Sequence, residues 1–229
     1  MRPHGRVRLV ACKGMIIMPL KTFLNLPENR KKEILNACFE EFAQNDYESA
    51  SLSRIISNLS LAKGSFYRYF ENKLDLYHFL CQFANSLVAA NFVHYLDGSG
   101  KDFFQDWISF FLSLSEIEND YPLAIRFRFK AALEQSSEVS AQQNMEKPLQ
   151  RMKFMRDVLQ KYQENNLIRK DIDLDFFSLM MTSFNFTLSE YICIKYKIAT
   201  SSPLYSVGIE LLKQDAEQLL DIVRRGWLP

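Results

Sequence analysis

The chain has 229 residues, enough for a small domain beside a larger one with a sizeable core. Phenylalanine occurs 19 times while glycine and proline are held to seven each, which argues for a helical protein with few tight turns and against a turn-rich β protein. The formal net charge of +1 excludes a uniformly basic or acidic surface, so binding to a charged partner must rest on local placement.

Residues 1–22 read as an unstructured basic extension. Arg2, Arg6, Arg8 and Lys13 precede a short apolar piece, Lys13 interrupts it, and no small-residue cleavage site follows, which speaks against a secretory signal. A basic arm reaching a neighbouring DNA groove is the other reading of the same residues. Pro27 suits the first turn of a helix, where its missing N–H costs nothing. Ile34, Leu35, Cys38, Phe39 and Phe42 then form one apolar stripe, with Arg30, Lys31, Glu40 and Glu41 on the wet side.

Residues 51–73, SLSRIISNLSLAKGSFYRYFENK, read as two short helices joined by a tight turn. Ser51 is placed to cap the first, whose apolar face carries Leu52, Ile55, Ile56 and Leu59. Ser60 sits at the turn and Leu61 plugs the corner. The second helix opens with Ala62, Lys63, Gly64 and Ser65; Phe66 and Phe70 face inward, and Tyr67, Arg68, Tyr69 and Lys73 supply hydroxyls and cations suited to phosphate oxygens. Lys63 and Ser65 are candidates for base edges, with Gly64 letting the backbone approach a groove and Arg68 suited to either role.

This segment resembles the DNA-binding signature of the TetR/AcrR family of transcriptional regulators. The resemblance runs through Ser51, Ile55, Leu59, Leu61, Lys63-Gly64-Ser65, Phe66-Tyr67-Arg68-Tyr69-Phe70 and Lys73, with KGSFYRYFENK as its specific part. It departs at Ser60, where the family usually has glycine. The resemblance covers roughly residues 26–76 and implies an all-α fold: a helix-turn-helix domain over 23–72 and a ligand-sensing and dimerisation domain over 73–229. It also implies that Tyr67, Tyr69 and Lys73 hold phosphates; Ser51 and Ser53 complete the set assigned to DNA.

Beyond the signature, a long helix is expected from near Asn72 to about Leu96, carried by Leu74, Tyr77, Leu80, Cys81 and Leu87, and bridging the two domains. Asp97-Gly98-Ser99-Gly100 breaks it. Helical patterns follow over 102–117, 121–133, 141–165, 173–197 and 205–225, with a loop or short turn over 134–140. The pattern over 173–197 is apolar nearly all round, which requires more than one neighbour to bury it.

The wide apolar surfaces of the last two helices suit a two-fold four-helix interface, with Leu188, Tyr191, Leu212, Leu219 and Val223 as candidates, and the family dimerises in this way. Phe103, Trp107, Phe110, Phe127, Met152, Met155, Phe177, Met181 and Phe184 are candidates to line a pocket for a hydrophobic effector, against the plainer reading of core. Arg126, Arg128 and Lys130 suit an anionic ligand or, more simply, a solvated face.

His4, His78 and His94 are isolated, and no nucleophile–base pair, metal-ligand spacing or phosphate-cradling loop is present in the sequence, so an enzyme and a cofactor are not expected. Cys12, Cys38, Cys81 and Cys193 form no CxxC pair, as for idle thiols in a cytoplasmic protein. No stretch reaches membrane-spanning length. The expectation is therefore a cytoplasmic, homodimeric regulator, a repressor released from a palindromic DNA operator by a small hydrophobic molecule. The competing readings are a regulator of the same fold controlled by a protein partner, and an activator.

Overall fold

The computed structural model describes residues 20–134, 136–140 and 146–227, and every regular element among them is helical. In chain order these are α1 (Lys21–Leu24), α2 (Glu28–Gln44), α3 (Leu52–Asn58), α4 (Lys63–Phe66), α5 (Lys73–Tyr95), α6 (Phe103–Asp120), α7 (Ala124–Leu133), α8 (Ser137–Ser140), α9 (Glu146–Glu164), α10 (Leu174–Lys195) and α11 (Ile209–Trp227). A 3-10 turn, Leu204–Val207, precedes α11. The helix expected over 141–165 has its first residues, 141–145, outside the described part.

Short polar side chains set where the helices begin. Asn72 accepts from the Asp75 amide at 2.8 Å, Asp102 from Phe104 at 2.9 Å, and Asp173 from Asp175 at 2.9 Å, each satisfying an amide the first turn leaves unpaired. α3, α9 and α10 end alike. Ser60, Asn166 and Lys197 stand at positive φ, and the amide one residue beyond each reaches back to a carbonyl five residues earlier: Leu61 to Ile56, Leu167 to Tyr162, Ile198 to Cys193.

The buried stripe of α2 is the one expected from its spacing: Ile34, Leu35, Cys38, Phe39 and Phe42 are all in the core. α2 packs on α3, α5 and α7, while α6 packs on α5, α7, α11 and the 3-10 turn, and α9 lies along α10.

The extension expected over 1–22 reaches too far. Residues 1–19 lie outside the described part, but Leu20–Leu24 are held in the fold. Phe23 is buried against Tyr69, Phe70 and Phe79, with ring centroids 6.0, 5.1 and 5.8 Å away. A helix of a single turn is too short to set up a periodic apolar signal.

A buried carboxylate ties α6 to the approach to α11. Glu118 accepts from the Leu204 and Tyr205 amides at 2.9 and 2.8 Å. Burial pushes its pKa up to about 7, against the two amides and Arg126, which favour the charged form. A carboxyl whose folded pKa is raised gives stability that is fully present below its unfolded value near 4.5 and lost as pH rises through about 7. Thermal melts of the wild type and a Glu118→Gln variant should therefore diverge between pH 5 and 8. The variant is expected to gain relative stability as pH rises, by on the order of 3 kcal/mol at most. A pH-independent difference would show that Glu118 does not titrate in this range.

Candidate nucleic-acid interface

The helix-turn-helix is assembled around the end of α3. Ser51 caps α3, accepting from the Arg54 amide at 3.4 Å. At the other end Ser60 takes φ 51°, the left-handed conformation glycine adopts freely, at a cost of about 1–2 kcal/mol for a residue with a side chain. The Ser60 amide bonds Ser57 and the Leu61 amide bonds Ile56, so the carbonyls at the end of α3 are paired and the chain turns into α4.

α4 and the turns after it present two faces. Phe66 and Phe70 are fully buried and in ring contact at 5.8 Å. Lys63, Gly64, Tyr67 and Arg68 are exposed and Ser65 is half-buried. A Cβ built on Gly64 would meet nothing within 4 Å, so the fold itself does not require a glycine there. Its bare backbone suits close approach by a bulky partner.

Other members of the expected set are placed differently. Ser53 is exposed on α3. Tyr69 is half-buried, its ring against Phe23. Lys73 corrects the expectation. Its ammonium donates to the carbonyls of Tyr47, Glu48 and Ala50 at 2.7, 3.2 and 3.2 Å, and lies 4.5 Å from the centre of the Tyr47 ring. An ammonium has three N–H donors, and all three are used to hold the loop between α2 and α3. Lys73 therefore shapes the domain instead of offering its charge to a phosphate.

Glu41 was expected on the wet side of α2 and is instead buried at the centre of a clamp. It accepts from the Ser51 amide at 2.8 Å, from Asn45 Nδ2 at 3.3 Å, and from Arg54 Nε and Nη2 at 3.0 and 2.5 Å. Arg54 Nη2 also donates to the Ser49 carbonyl at 2.8 Å. The clamp fixes the entry of α3 against α2. A glutamate and an arginine thirteen residues apart carry no periodic signal, which is why the sequence alone did not pair them.

These engagements decide which cations face outward. Arg30, Lys31 and Lys32 are paired with Glu33, Glu28 and Asp120. Among the described residues of this domain, Lys21, Lys63 and Arg68 are in no ion pair or side-chain hydrogen bond, and all three lie at α1 or around α4.

Of the pocket candidates, Phe127 is the one the structure removes. Its ring lies among Phe39, Phe42 and Tyr77 at 5.3, 6.3 and 5.4 Å, between α2 and α5. Helical spacing could not say which neighbour α7 faces. Phe103 meets Tyr162 and Phe177 at 5.3 and 5.7 Å, Trp107 meets Phe184 at 5.4 Å, and Phe110 meets Phe92 at 5.1 Å. Met155 and Met181 are buried; Met152 is half-buried. The indole N–H of Trp107 is buried without a hydrogen-bond partner among the described residues. Arg126, Arg128 and Lys130 are engaged internally, with Cys193 Sγ at 3.3 Å, Asn85 Oδ1 at 3.0 Å and Asp46 at 3.1 Å.

The dimer candidates also divide. Leu188 and Leu212 are fully buried inside the protomer, Leu219 and Val223 are half-buried, and Tyr191 is exposed. Leu188 and Leu212 thus belong to the protomer's own core. Besides Tyr191, the outward large apolar side chains of α10 and α11 are Phe176, Leu179, Ile194, Ile209, Leu211 and Ile222, with Ile194 and Ile222 71% and 68% exposed. α10 is apolar on more than one side, so periodicity identified the helix but not its outer face.

No disulfide joins Cys38, Cys81 and Cys193. Among the described residues no helix is long and apolar enough to cross a membrane, and no group of three or more metal-ligating side chains occurs.

Residues 34–79 match the family model described as bacterial regulatory proteins, tetR family. The whole fold is similar to a TetR family transcriptional regulator from Chloroflexus aurantiacus J-10-FL, at 24% identity and a TM-score of 0.64, over 91% of this chain and 98% of that one. It is also similar to the TetR family protein CprB from S. coelicolor A3(2), at 21% identity and a TM-score of 0.60, over 88% of this chain and 90% of that one. A third similar structure is the ketosteroid transcriptional regulator KstR2 of Mycobacterium tuberculosis, at 18% identity and a TM-score of 0.57, over 89% and 97% of the two chains. No curated protein matches the sequence significantly. Residues 34–79, built around the α3–α4 turn, thus match the tetR-family module, and the fold along the chain is similar to that of TetR-family regulators.

Proposed function

We propose that the protein is a cytoplasmic repressor that binds a palindromic operator as a homodimer and is released by a hydrophobic small molecule. The observation that carries the DNA reading is the outward face of Lys63, Gly64, Ser65, Tyr67 and Arg68, backed by the buried rings of Phe66 and Phe70. A face of long cations, hydroxyls and bare backbone on a rigid aromatic base suits base edges and phosphates together. Two such faces about 34 Å apart would read successive major grooves. The exposed apolar side chains of α10 and α11 supply a surface through which a two-fold partner would set that spacing.

Two features support control by a ligand. The Phe, Trp and Met side chains of α6, α9 and α10 form an apolar interior, and the unpartnered Trp107 N–H within it would be satisfied by an acceptor on an otherwise apolar molecule. Phe127 then links that domain directly to α2 and α5, so a shift of α7 would bear on the helix-turn-helix. A ligand acts here only if it binds the DNA-competent and released arrangements with different affinity.

The test is selection of duplexes from a random pool by the purified protein, followed by a screen for apolar compounds that release them. Lys63→Ala is expected to relax preference at one base position, losing about 1–3 kcal/mol of discrimination there. An unchanged sequence preference would remove Lys63 from base reading. Failure of every apolar compound both to release DNA and to raise the melting temperature would leave the DNA reading standing and overturn the ligand reading.

A further inference from the structure

The interior between α6, α9 and α10 spends its hydrogen bonds on itself, with one exception. The buried hydroxyls of Ser113, Ser178 and Ser189 donate to the carbonyls of Phe110, Leu174 and Asn185 at 2.7, 2.5 and 2.9 Å, each within its own helix. Tyr162 donates to Asp106 at 2.6 Å. Trp107 is the exception. Its indole is fully buried, and among the described residues of α6, α9 and α10 its N–H is the buried polar side-chain group without a hydrogen-bond partner. The ring lies parallel to Phe111 at 5.6 Å and edge-on to Phe184 at 5.4 Å, so it is not free to turn towards an acceptor elsewhere. A buried donor in this state is uncommon in folded proteins and is a ready anchor for an acceptor on an incoming molecule.

The charged groups around this interior are already committed. α6 contains no lysine or arginine, and the one in α10, Lys195, pairs with Asp215 at 2.5 Å. Among the described side chains of α9, Arg156 pairs with Asp175 at 2.9 Å, Lys161 donates to the Asp97 carbonyl at 3.1 Å, and Lys153 is exposed. Arg126 of α7 donates to Cys193 Sγ at 3.3 Å, and its charge acts on Glu118. Of the carboxylates, Asp106 accepts from Tyr162, and Glu118 accepts from the Leu204 and Tyr205 amides. A carboxylate or ammonium brought here would lose its water and gain no counter-ion among these groups. A neutral oxygen needs one donor, and Trp107 has one to give.

We propose that the effector is an uncharged, mainly apolar molecule whose carbonyl oxygen accepts the Trp107 indole N–H. The inference rests on control by a hydrophobic ligand and adds that ligand's chemistry: a ketone, ester or amide, and neither a fatty acid nor an amine. Met155 and Met181 are buried on the facing helices, and their unbranched side chains can repack around such a molecule.

The experiment titrates the full chain with butyrophenone, butylbenzene, 4-phenylbutyrate and 4-phenylbutylammonium, which share one carbon count and differ in the polar group. Binding is read by calorimetry and by the rise in melting temperature. Butyrophenone should bind about 2- to 10-fold more tightly than butylbenzene, the range one neutral hydrogen bond gives. It should bind at least ~10-fold more tightly than either ion. The chain has two tryptophans, so a Trp227→Phe variant assigns the Trp107 indole N–H resonance, which should move downfield with butyrophenone and not with butylbenzene. Trp107→Phe should erase the advantage of the ketone while leaving butylbenzene within about 2-fold, whereas lost packing alone would weaken both alike. Should that variant fail to fold, the resonance in the Trp107-containing chain decides. Equal binding of butylbenzene and butyrophenone, tighter binding of either ion, or an indole resonance unmoved by the ketone would overturn the carbonyl inference alone. Failure of both neutral probes to bind would overturn the ligand reading and the inference with it.

Discussion

Replacing Phe127 by alanine is expected to destabilise the protein by about 3–5 kcal/mol and lower its melting temperature by roughly 10 °C. The ring is fully buried and touches Phe39 and Phe42 of α2 and Tyr77 of α5, so its removal empties space where α2, α5 and α7 meet. Little is available to fill that space, because its neighbours are themselves held in ring contacts: Phe42 against Tyr77 at 5.2 Å and Tyr47 against Tyr77 at 5.1 Å. Polar bonds around it, from Lys32 to Asp120, Lys130 to Asp46 and the Tyr47 amide to Glu134, would remain. The three helices should thus stay joined but loosely seated, and amide exchange in α2 should rise more than in α10. A melting temperature within a degree of wild type would show that α7 is not wedged between α2 and α5.

The second large effect separates the inner from the outer face of α10 and α11. Leu212→Asp is expected to unfold the protomer: loss of the buried leucine alone costs about 2–5 kcal/mol, and a buried carboxylate without a partner adds to it. The double substitution Ile194→Asp with Ile222→Asp places the same charges where both side chains already face outward. It should leave helix content and protomer packing intact while abolishing the proposed dimer. Sedimentation should show a folded monomer for the double variant and a dimer for the wild type, and operator affinity should fall with dimerisation. A wild type that sediments as a monomer at micromolar concentration would overturn the dimer, and a well-folded Leu212→Asp protein would overturn the assignment of that residue to the core.

Much of this protein is legible from local chemistry. The stripe of α2, the cap at Ser51, the helix starts near Asn72, Asp102 and Asp173, and the inward pair Phe66 and Phe70 each depend on residues within a turn or two of one another. Spacing and side-chain type define such features wherever the helix is placed. The run KGSFYRYFENK carried the resemblance to the tetR-family module for the same reason, since one short segment holds both the buried rings and the outward face of α4. Ser60 at φ 51° belongs here too: the turn was legible because the residues around it leave the chain little else to do.

What the tertiary structure decided is where long-range partners meet. A lysine near a DNA-binding helix suits a phosphate until three loop carbonyls some 23 to 26 residues earlier are found around its ammonium. Glu41 looked solvated until Arg54 and the Ser51 amide converged on it. Phe127 and Leu212 are apolar residues on amphipathic helices, and only packing determined that one would wedge against α2 and α5 and the other would turn inward. Periodicity fixes which side chains share a helix face; it carries no information about which neighbour covers that face, because burial depends on the orientation of whole helices relative to one another.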